Sequence, residues 1–357
     1  MLNVTETFLP PFEEYAAFLQ RTWASKWVTN RGDLVQELER QVSEYLGIGA
    51  ILAVSNGTIA LQLAIRALGL TGEVVTTPFS YVATVSSIVW EHCKPVFVDI
   101  EPDHLTIDPR KIEAAMTEQT SAILATHVYG NPCDVDSIGE IAERHGVRTI
   151  YDAAHCFGVK YRGRSILEWG DASSLSFHAT KLFHTGEGGA IVCNDADLAH
   201  RIFFHHNFGH NGPEDFWGLG VNGKLSELNA AMGLAVLSHV PDLIAARAQA
   251  CRIYDVLLEQ VPVRTLVLRD GTDWNYSYYP VVFASETDLL SVKSAMNKDG
   301  IFPRRYFYPS LNTVPYVESE AMPIAEDLSR RVLCLPLSAA ISEADVRRVC
   351  RHISQNV

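Results

Sequence analysis

Between Gly47 and Tyr151 short apolar runs alternate with helix-like stretches, and this alternation restricts the chain to parallel strands joined by helical crossovers. The spacing predicts a helix after Gly57, strand Glu73–Thr77, helix Tyr81–Glu91, strand Pro95–Ile100, helix Pro109–Met116, strand Ser121–His127, helix Val135–His145 and strand Val147–Tyr151. Ahead of them Leu34, Val35, Leu38, Val42 and Leu46 share one helical face, with Asp33 placed to cap the helix and Gly47 to stop it. A helical stretch from Leu225 is interrupted at Pro241 and resumes to about Glu259, beyond which the alternation is lost. Strand-like Tyr278–Phe283, helix Glu286–Asn297 and a last helix capped by Ser342 complete the chain. The expected fold is α/β: a large doubly wound, mainly parallel sheet domain over residues 1–240 and a smaller α+β domain over 241–357. A chain of 357 residues exceeds the size at which one core stops growing, which agrees with two units.

Composition narrows the partners. A formal charge of -13 argues against nucleic acid and anionic membrane, both of which need clustered cations. Seven cysteines without a CxxC pair suit reduced thiols, hence a cytoplasmic protein, and no apolar run nears the roughly 20 residues that span a bilayer. His205, His206 and His210 lack a cysteine or carboxylate at a metal-ligating interval, so no metal is expected.

Ligands of open α/β sheets bind beyond the carboxyl ends of the strands, so chemistry is sought there. Ser55-Asn56-Gly57-Thr58 lies between an apolar run and a helix. Free N–H groups and the helix dipole could hold a phosphate at this turn, with Gly57 allowing close approach and Thr58 adding a hydroxyl; an ordinary capped helix start is the plainer reading. Asp152 ends a predicted strand, with His155 three residues on. A carboxylate there could bind a pyridinium N–H, or serve as a turn residue beside a core histidine. Lys181 stands between the apolar Ser174–Phe177 run and a Gly186-Glu187-Gly188-Gly189 turn. Desolvated, its amine could bond an aldehyde while Ser176 reached a phosphate oxygen; otherwise it is a solvated loop lysine.

Together these segments, Ser55 to Thr58, Tyr151 to His155 and Ser174 to Lys181, resemble the fold-type I pyridoxal-phosphate enzymes, and among them the DegT/StrS-type sugar aminotransferases. The resemblance implies pyridoxal 5'-phosphate as cofactor, with Gly57, Thr58 and Ser176 on its phosphate, Tyr81 stacked on its ring, Asp152 on its ring nitrogen and Lys181 as the Schiff-base lysine. His155 stands where many relatives carry glutamine. Asn222 matches an asparagine that relatives donate to the neighbouring subunit, so a homodimer with shared active sites is implied. The stretches Phe177–Lys181 and Arg304–Pro309 look most like enzymes that aminate carbon 4 of dTDP-4-keto-6-deoxyglucose, with L-glutamate as donor. Glu187, Arg305, Tyr306 and Tyr308 are then candidate contacts to the nucleotide-linked sugar, and Arg304 and Arg305 either a cationic patch for an anion or a solvated pair. A 3-keto sugar, a keto-cyclitol and a non-enzymatic regulator are the rival expectations; no basic DNA-binding segment favours the last.

Overall fold

The computed structural model describes residues 1–357. Its main sheet has seven strands in the order Ile51–Val54, Gly189–Val192, Ala172–Ser176, Arg148–Asp152, Thr120–Thr126, Glu73–Thr76, Lys94–Phe97. Gly189–Val192 runs antiparallel to both neighbours, and the strands from Ala172–Ser176 to Lys94–Phe97 pair in parallel. The glycine-rich segment after Lys181 turns over residues 186–188 as expected, and its last glycine opens the returning strand. A Cβ on Gly189 would lie 2.5 Å from the Asn56 carbonyl carbon, so only glycine lets this strand press against the Asn56-Gly57 turn.

Helices cover both faces of the sheet. One face packs on Asp33–Leu46, Val135–His145 and Glu227–Leu237, the other on Gly57–Ala67 and Ala196–His205. Leu34, Val35, Leu38, Val42 and Leu46 are all buried, as their spacing predicts. Each such side chain contributes about 1.5–3 kcal/mol by leaving water.

Asp33, however, does not cap that helix. It is the first helical residue, Gly32 occupies the cap position, and the Glu227 carboxylate accepts the Leu34 and Val35 N–H groups at 2.8 and 3.1 Å. A partner 193 residues away has taken a role that local sequence assigns to its neighbour. Pro241 does not interrupt a helix either. The break falls between Glu227–Leu237 and Val240–Leu258, leaving Pro241 in the first turn of the second, where the missing N–H costs no hydrogen bond. The helix expected over Pro109–Met116 is a 3-10 turn at Pro109–Lys111 followed by one α turn, Ile112–Ala115.

Val240–Leu258 leads into a separate core. Cys251, Tyr254 and Leu258 pack with Val281, Leu289, Val292, Leu333, Val346 and Ile353 from helices Glu286–Lys298 and Glu343–Asn356 and strands Tyr279–Val282 and Val332–Leu335. Ser342 caps the last helix, accepting the Asp345 N–H at 3.1 Å. The N-terminal Leu2–Asn3 pairs with Ile301–Phe302, so the start of the chain joins its C-terminal part. No single helix is long and apolar enough to cross a membrane.

Candidate active site

The carboxyl ends of the parallel strands open onto a cleft of about 530 Å³, closed on one side by Arg304, Tyr306 and Phe307. Gly57, Thr58, Tyr81, Asp152, His155, Ser176, Lys181, Glu187 and Tyr306 all line it. Glu187 just precedes strand Gly189–Val192 and Tyr306 comes from the C-terminal part of the chain; the others end or follow strands of the sheet at their carboxyl ends, as an α/β sheet dictates.

At one end lies the start of helix Gly57–Ala67. Asn56 accepts the Ile59 N–H at 2.9 Å, while the first-turn N–H groups of Gly57 and Thr58 have no helical acceptor. A Cβ on Gly57 would stand 3.1 Å from the Ser176 Cβ, so glycine here keeps the Ser176 hydroxyl beside the open helix end. Two free N–H groups, two hydroxyls and the helix dipole suit a phosphate.

Asp152 is the last residue of a central strand and is buried. Burial raises its carboxyl above the usual range; hydrogen bonds from the Thr84 hydroxyl at 2.7 Å and the Ala154 N–H at 3.1 Å, with the Lys181 charge, oppose this. Lys181 sits in the loop joining strands Ala172–Ser176 and Gly189–Val192. Burial lowers its ammonium to about 8, against the pull of Asp152 and with help from the Arg304 charge. That is the environment an amine needs to act as a nucleophile near neutral pH.

Two imidazoles stand by. The His155 Nδ1 accepts the Tyr129 N–H at 3.2 Å, and the His127 Nδ1 accepts the Cys133 N–H at 3.0 Å. Burial holds His127 at about 3 and His155 well below its ordinary value, so both rings are neutral and carry their proton on Nε2. The His127 Nε2 has no partner. His155 thus presents a donor to the cleft, and its carbonyl is tied to Asn275 Nδ2 at 2.8 Å and Ser277 Oγ at 2.6 Å.

Arg304 and Arg305 part company. Arg304 pairs through its backbone with Cys334, and in such extended chain successive side chains face opposite sides. Arg304 reaches the cleft, exposed and without a carboxylate partner, its guanidinium 4.6 Å from the Tyr306 ring centre. Arg305 faces away, bonded to Glu286 at 2.5 Å and stacked 3.6 Å over the ring of Tyr308. Neither Arg305 nor Tyr308 lines the cleft, and neither does Asn222, which is exposed in a loop bridged to Asn207. Glu187 is at the rim, its carboxylate 3.7 Å from the His178 Nε2.

Sequence reading passed over His127, Thr84 and Thr126. His127 follows strand Thr120–Thr126 as directly as the Asp152 segment follows its own strand, so the strand-end rule could have found it. The cleft as a whole fits pyridoxal phosphate: an anion cradle for the phosphate, a buried carboxylate for a ring N–H, and an amine of lowered basicity for the aldehyde.

The chain matches the DegT/DnrJ/EryC1/StrS aminotransferase family over residues 12–354. It is 43% identical, over 95% of its length and 94% of the relative's, to a dTDP-4-amino-4,6-dideoxy-D-glucose transaminase of Shigella dysenteriae. It is 38% identical to a transaminase of the same name from Escherichia coli, covering 98% and 97% of the two chains. The crystal structure of DesI in the presence of its TDP-sugar product superposes with a TM-score of 0.94 at 36% identity, covering 99% of this chain and 92% of that one.

Proposed function

The chain belongs to the DegT/DnrJ/EryC1/StrS aminotransferase family, pyridoxal-phosphate-dependent sugar aminotransferases, and from this premise we infer that it moves the amino group of L-glutamate to carbon 4 of dTDP-4-keto-6-deoxyglucose. The product is dTDP-4-amino-4,6-dideoxyglucose. What carries the choice of sugar is the likeness, across nearly the whole chain, to transaminases named for that amino sugar.

Bound pyridoxal phosphate supplies an aldehyde that accepts the amino group and a ring that withdraws electrons from the carbon losing its proton. Gly57, Thr58 and Ser176 would hold its phosphate, Tyr81 its ring face, Asp152 its ring nitrogen and Lys181 its aldehyde. His155, with a proton on Nε2, donates a hydrogen bond within the cleft. Lys181, at about 8, can both take and return a proton near neutral pH, the property a shuttle between carbon centres requires. Arg304 offers its unpaired guanidinium to the glutamate carboxylate or the sugar's diphosphate. Glu187 and Tyr306 meet the sugar. Asn222 of one subunit completes the phosphate site of the other in a homodimer. The boundary between a large and a small domain falls near residue 240, and the seven free cysteines suit the cytoplasm.

The test is to incubate the protein with pyridoxal phosphate, L-glutamate and a panel of dTDP- and UDP-linked 3-keto and 4-keto sugars, then identify products by mass and NMR. Amination at carbon 4 of the dTDP sugar is expected. Preferential amination of a 3-keto sugar would overturn the assignment.

A further inference from the structure

Asp152 is joined to an array of hydroxyl groups that the reaction as described does not use, and two of the residues bearing them, Ser80 and Thr126, also line the cleft. Thr84 Oγ1 is 2.7 Å from Asp152 Oδ2, Ser80 Oγ is 2.7 Å from Thr84 Oγ1, and Thr126 Oγ1 is 2.9 Å from Ser80 Oγ. All four residues are buried. They come from different places: Ser80 from the turn after strand Glu73–Thr76, Thr84 from the first turn of helix Val82–Trp90, Thr126 from the end of strand Thr120–Thr126.

The proton positions follow from counting. An ionised carboxylate only accepts, so the single Thr84 proton goes to Asp152. The Thr84 oxygen must then accept from Ser80, which spends the Ser80 proton. The Ser80 oxygen in turn must accept from Thr126. Every hydroxyl dipole in the row points toward the carboxylate, and aligned hydrogen bonds polarise one another in a low-dielectric interior. Were Asp152 protonated on Oδ2, the Thr84 oxygen would have to accept and the whole row reverse.

We propose that Ser80, Thr84 and Thr126 form an oriented hydroxyl row that keeps Asp152 charged in its buried position, acting as positioning residues for the contact to the ring nitrogen. The other groups around Asp152 leave the row this task. Lys181 is the cation whose charge favours the carboxylate, and the Ala154 N–H is the remaining donor. His155 and His127 are buried and neutral, and burial keeps the Cys156 and Tyr306 protons in place.

The proposal rests on Asp152 being the ring-nitrogen partner, and its first readout is made without cofactor so that the two ideas fail separately. The full-length chain, labelled with ¹³C at aspartate carboxyls and freed of cofactor, is titrated by NMR, with Asp152→Asn identifying the signal. Thr84→Val should raise the Asp152 midpoint by about one to two pH units, a roughly 10–100-fold weaker acid, and Thr84→Ser should restore it. Ser80→Ala and Thr126→Val should raise it by progressively less, and these two carry the test if Thr84→Val does not fold. In the loaded enzyme, Thr84→Val should bind pyridoxal phosphate about 10-fold more weakly and shift the acid limb of the kcat profile upward, with KM for the sugar little changed. An unmoved midpoint in Thr84→Val, or no recovery in Thr84→Ser, overturns the proposal. A shifted midpoint together with normal cofactor binding and turnover in Asp152→Asn would instead remove Asp152 from the ring nitrogen.

Discussion

Lys181 has no hydrogen-bond partner for its amine in the chain, and burial has brought its ammonium down to about 8. At pH 7 about one molecule in ten then carries the free amine, against about one in three thousand for an ordinary lysine at 10.5. Capture of pyridoxal phosphate by the cofactor-free chain, followed by its visible absorbance, should therefore slow about tenfold per unit below pH 8 and level off above it. Lys181→Ala should fold and capture none. A capture rate still rising through pH 10 would show that the burial does not act on this amine. The lysine itself is legible from its place between a strand and a glycine-rich turn. Arg304 and Arg305 are not separable in that way, since two adjacent arginines look alike until the backbone pairing with Cys334 turns one inward and the other onto Glu286.

Among the elements, helix Asp33–Leu46 shows how a local signal is overridden. Glu227, almost fully buried, supplies both acceptors at its N-terminus, and the first-turn Asp33 stays exposed. Replacing Glu227 by alanine strands two buried N–H groups and should cost about 2–3 kcal/mol, seen as a lower melting temperature and faster amide exchange at Leu34 and Val35. Asp33→Ala should cost under about 1 kcal/mol, because it loses only a favourable charge near the helix dipole. Equal costs would show that Glu227 does not act as the cap. The strands and helices around this one were readable because apolar spacing is a local property. The cap was not, because Glu227 is brought there by the packing of helix Glu227–Leu237 on helix Asp33–Leu46.

For the whole molecule the question is assembly. Trp23, Trp27, Phe216, Trp217 and Val221 are all exposed. Asn222 adjoins Val221 and lies outside the cleft of its own chain. If it completes the site of a second chain, Lys181→Ala and Asn222→Ala subunits are complementary. In a mixed dimer one site receives both defects and the other neither, so mixing the two variants under conditions of subunit exchange should restore activity above either parent. Demonstrated hybrids that stay inactive, with Asn222→Ala alone clearly impaired, would sink the shared site.

Local order in the chain was enough to determine the alternation of strands and helices from Gly57 to Asp152, and the positions of Lys181, Asp152 and the Gly57-Thr58 turn. Side-chain periodicity and the place of a residue after a strand are written within a few neighbours. Tertiary structure alone decided the insertion of Gly189–Val192 between Ile51–Val54 and Ala172–Ser176, the return of Leu2–Asn3 to Ile301–Phe302, and the hydroxyl row joined to Asp152. Each of these joins segments far apart in the chain, and the energy that selects them comes from burial and hydrogen bonds that exist only once those segments have met.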